Sequence, residues 1–236
     1  MTFRNQVEDL YRRSVGEFLN SPQFRALETG AASRSGYDAF LAGVVRSHLR
    51  SPQLLAFLFS LAPPDASGDL LHNMLEELGI DHASGIAHAS MLREMAAGAG
   101  LAHLLPELEA HAIADIRQVV VEPVLYGTLR EVGLAALVEV EAFEYMLSRS
   151  ATRIARALKR HRRLSDETLK WFTYHSEVDI EHAEQGLQSL EKYIRYYDLA
   201  PQDALTIAEM SLRENVFLKR YFGALEMAAG EGRAFA

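Results

Sequence analysis

Cysteine is absent from this chain of 236 residues. That removes disulfides, thiolate metal sites and any cysteine nucleophile, so a metal centre here has only nitrogen and oxygen donors. Basic charge is also short: 24 Lys and Arg stand against 32 Asp and Glu, for a formal net charge of -8. Such a balance leaves no general attraction for nucleic-acid phosphates or anionic lipid. No apolar run is long enough to span a bilayer. The opening stretch MTFRNQVEDLYRRSVGEFL mixes both charge signs through its apolar pattern and matches neither a signal nor a transit peptide. A cytoplasmic protein with no membrane or nucleic-acid partner is the expectation. Strand alternation, low-complexity linkers and internal repeats are missing too, which leaves an all-α class. With 49% hydrophobic residues, the chain can fill the core of one domain spanning 1–236.

What is present is helical periodicity cut by sparse breakers. Phe3, Val7, Leu10, Tyr11, Val15 and Phe18 share one face over 3–19, ending at Asn20-Ser21-Pro22. A short helix through Phe24 and Leu27 stops at Gly30. The pattern then predicts helices over 35–49, 54–61 (opened by Ser51-Pro52) and 69–78, with Gly79 as a cap. Ser84 is positioned to cap a helix reaching about Ala97. Two longer stretches cover 107–126 and 129–159, and Ser165-Asp166-Glu167 precede a helix running to Tyr197. Pro201 opens one final amphipathic helix toward Ala228, followed by a small-residue tail.

The informative stretch is WFTYHSEVDIEHAEQG, Trp171 to Gly186. His175, Asp179 and His182 fall at i, i+4 and i+7, which stacks them along one helical stripe. Leu169, Phe172 and Gly186 continue that stripe, so two imidazoles and a carboxylate interrupt a face aimed at the core. Burial of such groups is costly unless something pairs with them, and mixed imidazole and carboxylate donors suit a divalent transition metal. A solvated His-rich face is the bland alternative, at roughly even weight for the motif alone. Further inward donors shift that balance. Glu77 lies on the stripe of Leu70 and Met74, although Glu76 is an equal choice by pattern. His88 sits with Met91, Leu92 and Met95. Glu144 lies among Val140, Leu147 and Ala151, with Glu141 at the stripe's boundary as the reserve. Each also has a plainer explanation: Glu77 as a solvated helix end, His88 as a hydrogen-bonded core histidine, Glu144 as an arginine's ion-pair partner. Six donors, Glu77, His88, Glu144, His175, Asp179 and His182, fit two divalent metals with open positions. Two irons there can supply the electrons that split dioxygen, and manganese fits the same nitrogen and oxygen donors.

The order E…H…E…HxxxDxxH, with NMLEELG before His88, AHASMLREM around it and WFTYHSEVDIEHAE at the end, resembles the heme-oxygenase-like diiron oxidases and oxygenases. These belong to the superfamily of the TenA and PqqC proteins. The resemblance covers about Ser21 to Tyr193. In that family an asparagine often stands four residues before the first metal glutamate, as Asn73 stands before Glu77. It implies a heme-oxygenase-like bundle of about seven helices, usually dimeric, with an iron pair that activates dioxygen. The implied chemistry is oxidative decarboxylation, desaturation or cleavage, or N-oxygenation of a small carboxylate- or amine-bearing substrate. Members that make para-aminobenzoate use a tyrosine and a lysine of their own; by spacing those positions are Phe24 and Ile154 here, which argues against that reaction.

Rivals lack their residues. Thiamin hydrolysis in TenA proteins uses a cysteine, heme oxygenases take their ligand from a histidine in the first helix whereas the first here is His48, and ferritin-like storage shows two ExxH pairs. A metal-free or non-catalytic helical binding protein remains the alternative. Arg46 and His48, on a helix expected to line the cavity, are candidates for holding a substrate carboxylate, although Arg46 equally suits a surface position with its stem on the apolar face.

Overall fold

The computed structural model describes residues 2–80, 85–121 and 127–223, with side chains for all of these except 120–121 and 177–182. Every regular element among them is helical. The helices are α1 (Phe3–Asn20), α2 (Pro22–Thr29), α3 (Arg34–His48), α4 (Ser51–Ser60), α5 (Ser67–Glu77), α6 (His88–Gly98), α7 (Leu105–Ile116), α8 (Leu129–Ala157), α9 (Lys170–Tyr196), α10 (Pro201–Ser211) and α11 (Val216–Phe222). Wider turns extend α7 over 117–121 and α8 over 158–162.

Local chemistry explains the boundaries. Thr2 and Ser21 accept backbone N–H groups at the starts of α1 and α2, and Gly30 ends α2 in the left-handed region with φ 85°. At the head of α8, Thr128 and Glu131 form a reciprocal capping box. The long helices α8 and α9 pack on each other more extensively than any other described pair. Helix α3 lies against α6, α7 and α11, and α4 against α5 and α8, around a contiguous hydrophobic core. No described helix is long and apolar enough to cross a membrane.

Two boundaries differ from the periodicity. The single final helix expected from Pro201 is two, α10 and α11, because Glu214 and Asn215 adopt positive φ of 60° and 52°. Asparagine tolerates that region and caps helices. Asn215 does both, its Nδ2 donating to the Ser14 carbonyl at 2.8 Å and its Oδ1 accepting from Leu218 N at 3.3 Å. The second difference is the start of α6. Gly85 has φ 64° and Ala87 is extended, so the helix begins at His88, later than a cap at Ser84 would place it. Ser84 itself lies outside the described residues, as do 122–126 of the stretch expected to be helical to Tyr126 and 224–236 beyond α11.

Candidate metal centre

Three of the sequence's candidate donors meet. Glu77 is the last residue of α5, His88 the first of α6, and His175 lies one turn into α9. One ligand atom from each falls within 4.8 Å of the other two, and all three residues are buried. His88 Nδ1 stands 3.0 Å from Glu77 Oε1. The residues around them fix their aim. Ser51, at the head of α4, donates its hydroxyl to Glu77 Oε2 at 2.6 Å. The Trp171 carbonyl lies 2.7 Å from His175 Nδ1, and a carbonyl can only accept, so Nδ1 carries the proton and Nε2 keeps its lone pair.

The meeting of Glu77 and His88 depends on a glycine. Gly79 has φ 73°, and a Cβ there would stand 2.5 Å from the Ala87 backbone nitrogen. The chain therefore leaves α5 in a left-handed turn and returns close enough to put the start of α6 against the end of α5. Gly79→Ala is expected to cost at least about 1–2 kcal/mol from the left-handed strain alone and to separate Glu77 from His88. Urea unfolding and iron titration check this; an alanine variant as stable and as metal-competent as the parent contradicts the turn's role.

Protonation already matches ligation. Burial is the largest single influence on Glu77 and pushes its carboxyl up, but the neighbouring His88 and His175 and the bonds from His88 and Ser51 together outweigh it and hold it down to about 2. For His175 burial dominates and lowers the imidazole to about 3, with His88 adding to the effect. At neutral pH the site thus offers a carboxylate and a neutral ring, the forms a metal binds.

The other candidates fall in several places. Glu144 accepts from Asn73 Nδ2 at 2.7 Å and lines the same cavity as Glu77 and His175, a space of about 90 Å³. Glu141, one turn earlier, turns to a separate small pocket, where its Oε2 would lie 1.6 Å from a Cβ on Gly186. Burial, then the charges of Glu144 and Asp69, raise its carboxyl well above the usual range. Glu76 is not one of the three and accepts from the Tyr174 hydroxyl at 3.3 Å. Helix α9 continues through Asp179 and His182, whose side chains lie outside the described residues. Arg46 lines the cavity but is held bidentately by Asp115, both contacts at 2.6 Å. His48 also lines it, with Nε2 2.6 Å from the Tyr221 hydroxyl; burial lowers its imidazole to about 4. Phe24 and Ile154 are fully buried in the core.

Sequence periodicity did not mark Ser51, Asp115, Glu139, Arg50 or Arg220, all of which line the cavity. Ser51 stands out only as a helix-opening residue before proline, and nothing in its spacing connects it to Glu77.

A profile of the iron-containing redox enzymes matches residues 38–214. The chain belongs to that family. No curated protein matches it. The matched span runs from α3 to the break after α10 and contains Glu77, His88 and His175. The helical architecture is that of the heme-oxygenase-like family. Donor chemistry fits iron as well: imidazole nitrogen and carboxylate oxygen suit iron, and a ring hydrogen-bonded through its far nitrogen is the usual bearing of a metal-ligating histidine. Membership of that family supports an iron-dependent redox function in general outline.

Proposed function

We propose that this protein is a dioxygen-activating oxidase or oxygenase that holds two irons per chain and acts on a small carboxylate- or amine-bearing molecule. The observation that carries the reading is the buried convergence of Glu77, His88 and His175. Glu144, on the same cavity wall, and Asp179 and His182, one and two turns along α9 from His175, are the proposed remaining ligands. When bound, the iron pair would supply the electrons that reduce dioxygen, with the organic substrate as the remaining electron source.

The chain's own residues do the rest. The Trp171 carbonyl orients His175, Ser51 fixes the Glu77 carboxylate and Asn73 fixes Glu144. Leu54, Leu55, Phe143 and Leu147 give the cavity an apolar wall that limits water and suits the hydrocarbon part of a substrate. A homodimer is the proposed assembly, resting on the family resemblance, and sedimentation tests it.

Anaerobic loading with Fe(II) followed by metal analysis is expected to give close to two irons per chain. The loaded protein is then expected to consume dioxygen faster with a member of a panel of fatty acids, amino acids and aromatic amines than without. Fewer than one iron per chain would reject the dinuclear centre and favour a metal-free binding protein.

A further inference from the structure

Three guanidinium groups line the cavity: Arg46, Arg50 and Arg220. Two of them are spoken for within the wall. Asp115 holds Arg46 bidentately, and Arg220 donates to Glu139 at 2.7 Å and 3.0 Å while lying 4.0 Å from Asp115. Arg50 is different. Among the described residues no carboxylate lies within ion-pair distance of it, and its Nε, shielded from solvent, has no hydrogen-bond partner. An arginine stays charged at any physiological pH, and a buried donor left without an acceptor is costly. Native structures keep such a group chiefly where something else satisfies it.

Position narrows what that partner is. Arg50 immediately precedes Ser51, the residue bonded to Glu77, and lines the same cavity as Glu77 and His175. The same cavity is walled by Leu54, Leu55, Phe143 and Leu147. A planar guanidinium matches a carboxylate through two parallel hydrogen bonds. An ammonium has no acceptor to offer the guanidinium, and a dianion would face the carboxylates of Glu77, Asp115, Glu139 and Glu144 with only one uncompensated arginine to hold it. We infer that Arg50 is the anchor for a monoanionic carboxylate at one end of a small substrate with an apolar body, and that Arg46 is a structural partner of Asp115. This narrows the substrate class of the proposed function and rests on that reading.

The test is calorimetric titration of the full chain, metal-free and anaerobically iron-loaded, with butyrate, hexanoate and octanoate, and with hexanamide and hexylamine as neutral and cationic counterparts. In the metal-free protein at least one carboxylate is expected to bind at least about tenfold more tightly than the amide or the amine, the size of a charge-assisted hydrogen bond. R50Q is expected to remove that advantage, and R50K to restore part of it. Equal binding of hexanoate and hexanamide by the parent chain, no carboxylate binding at millimolar concentration, or R50Q binding like the parent would each overturn the assignment. If R50Q does not fold, as judged by circular dichroism, the comparison of ligands on the parent chain decides alone. The two readings fail separately: iron below one per chain with Arg50-dependent carboxylate binding rejects the metal centre only, whereas normal iron uptake with Arg50-independent binding rejects the anchor only.

Discussion

His175→Ala is expected to lower iron affinity by at least about a hundredfold while leaving the helical content unchanged. Loss of an outer partner that merely orients a ligand typically costs about 10–100-fold in affinity, and His175 is itself one of the three converging donors. The ring is buried, and its orientation comes from a hydrogen bond to the Trp171 carbonyl one turn earlier on the same helix. Alanine is the best helix former, so α9 should persist. The companion Ser51→Ala should show the smaller, orienting effect of about tenfold, because Glu77 keeps its carboxylate and loses only the 2.6 Å bond that aims it. Chelator competition followed by metal analysis reads both. If His175→Ala took up iron like the parent chain, the centre would lie elsewhere in the fold.

The second large effect is loss of stability in acid for the metal-free protein. Burial lowers His48 to about 4 and His175 to about 3, against an ordinary value of 6.5. A histidine whose folded value is depressed binds its proton more readily in the unfolded chain. Its contribution is therefore complete above pH 6.5 and is lost as the pH falls through the window down to the folded values. With two such rings the loss between pH 6.5 and pH 4 is on the order of 5 kcal/mol, a large share of a domain's total stability. Glu77, held at about 2, adds a further loss that begins only below its ordinary 4.5. Urea unfolding across this range should show the decline. His48→Asn should make it shallower by about one proton's worth, since the Asn carries no titrating ring. A stability curve flat from pH 6.5 to 4.5 would mean that the two rings are not buried as neutral groups.

Particular residues show how far a one-dimensional reading reaches. The apolar faces of α1, α3 and α8, the proline-opened starts of α4 and α10 and the left-handed glycine ends of α2 and α5 are visible in the sequence, because each depends on residues within about four positions. His175 and the continuation of its stripe are visible for the same reason. Glu77 against Glu76 is not decided that way. The return of the chain past Gly79 places His88 beside Glu77, while Glu76 accepts from the Tyr174 hydroxyl. Glu144 and Glu141 sit on one helix a single turn apart, and which of them faces the cavity depends on Asn73 from α5 and Gly186 from α9. The break between α10 and α11 is likewise set partly from outside, by the Ser14 carbonyl of α1 that receives Asn215.

By itself the sequence determined an all-helical chain without thiols, a line of imidazoles and a carboxylate spaced one turn apart on one long helix, and the resemblance to the family whose profile matches. Only the tertiary structure decided that Glu77 and His88 converge on His175, that Arg46 is neutralised by Asp115, 69 residues away, and that Arg50 faces the cavity uncompensated. The physical reason is range. Helix formation and amphipathic faces follow from neighbours one turn apart, whereas the charge state and partners of a buried side chain follow from whichever distant helix packs against it.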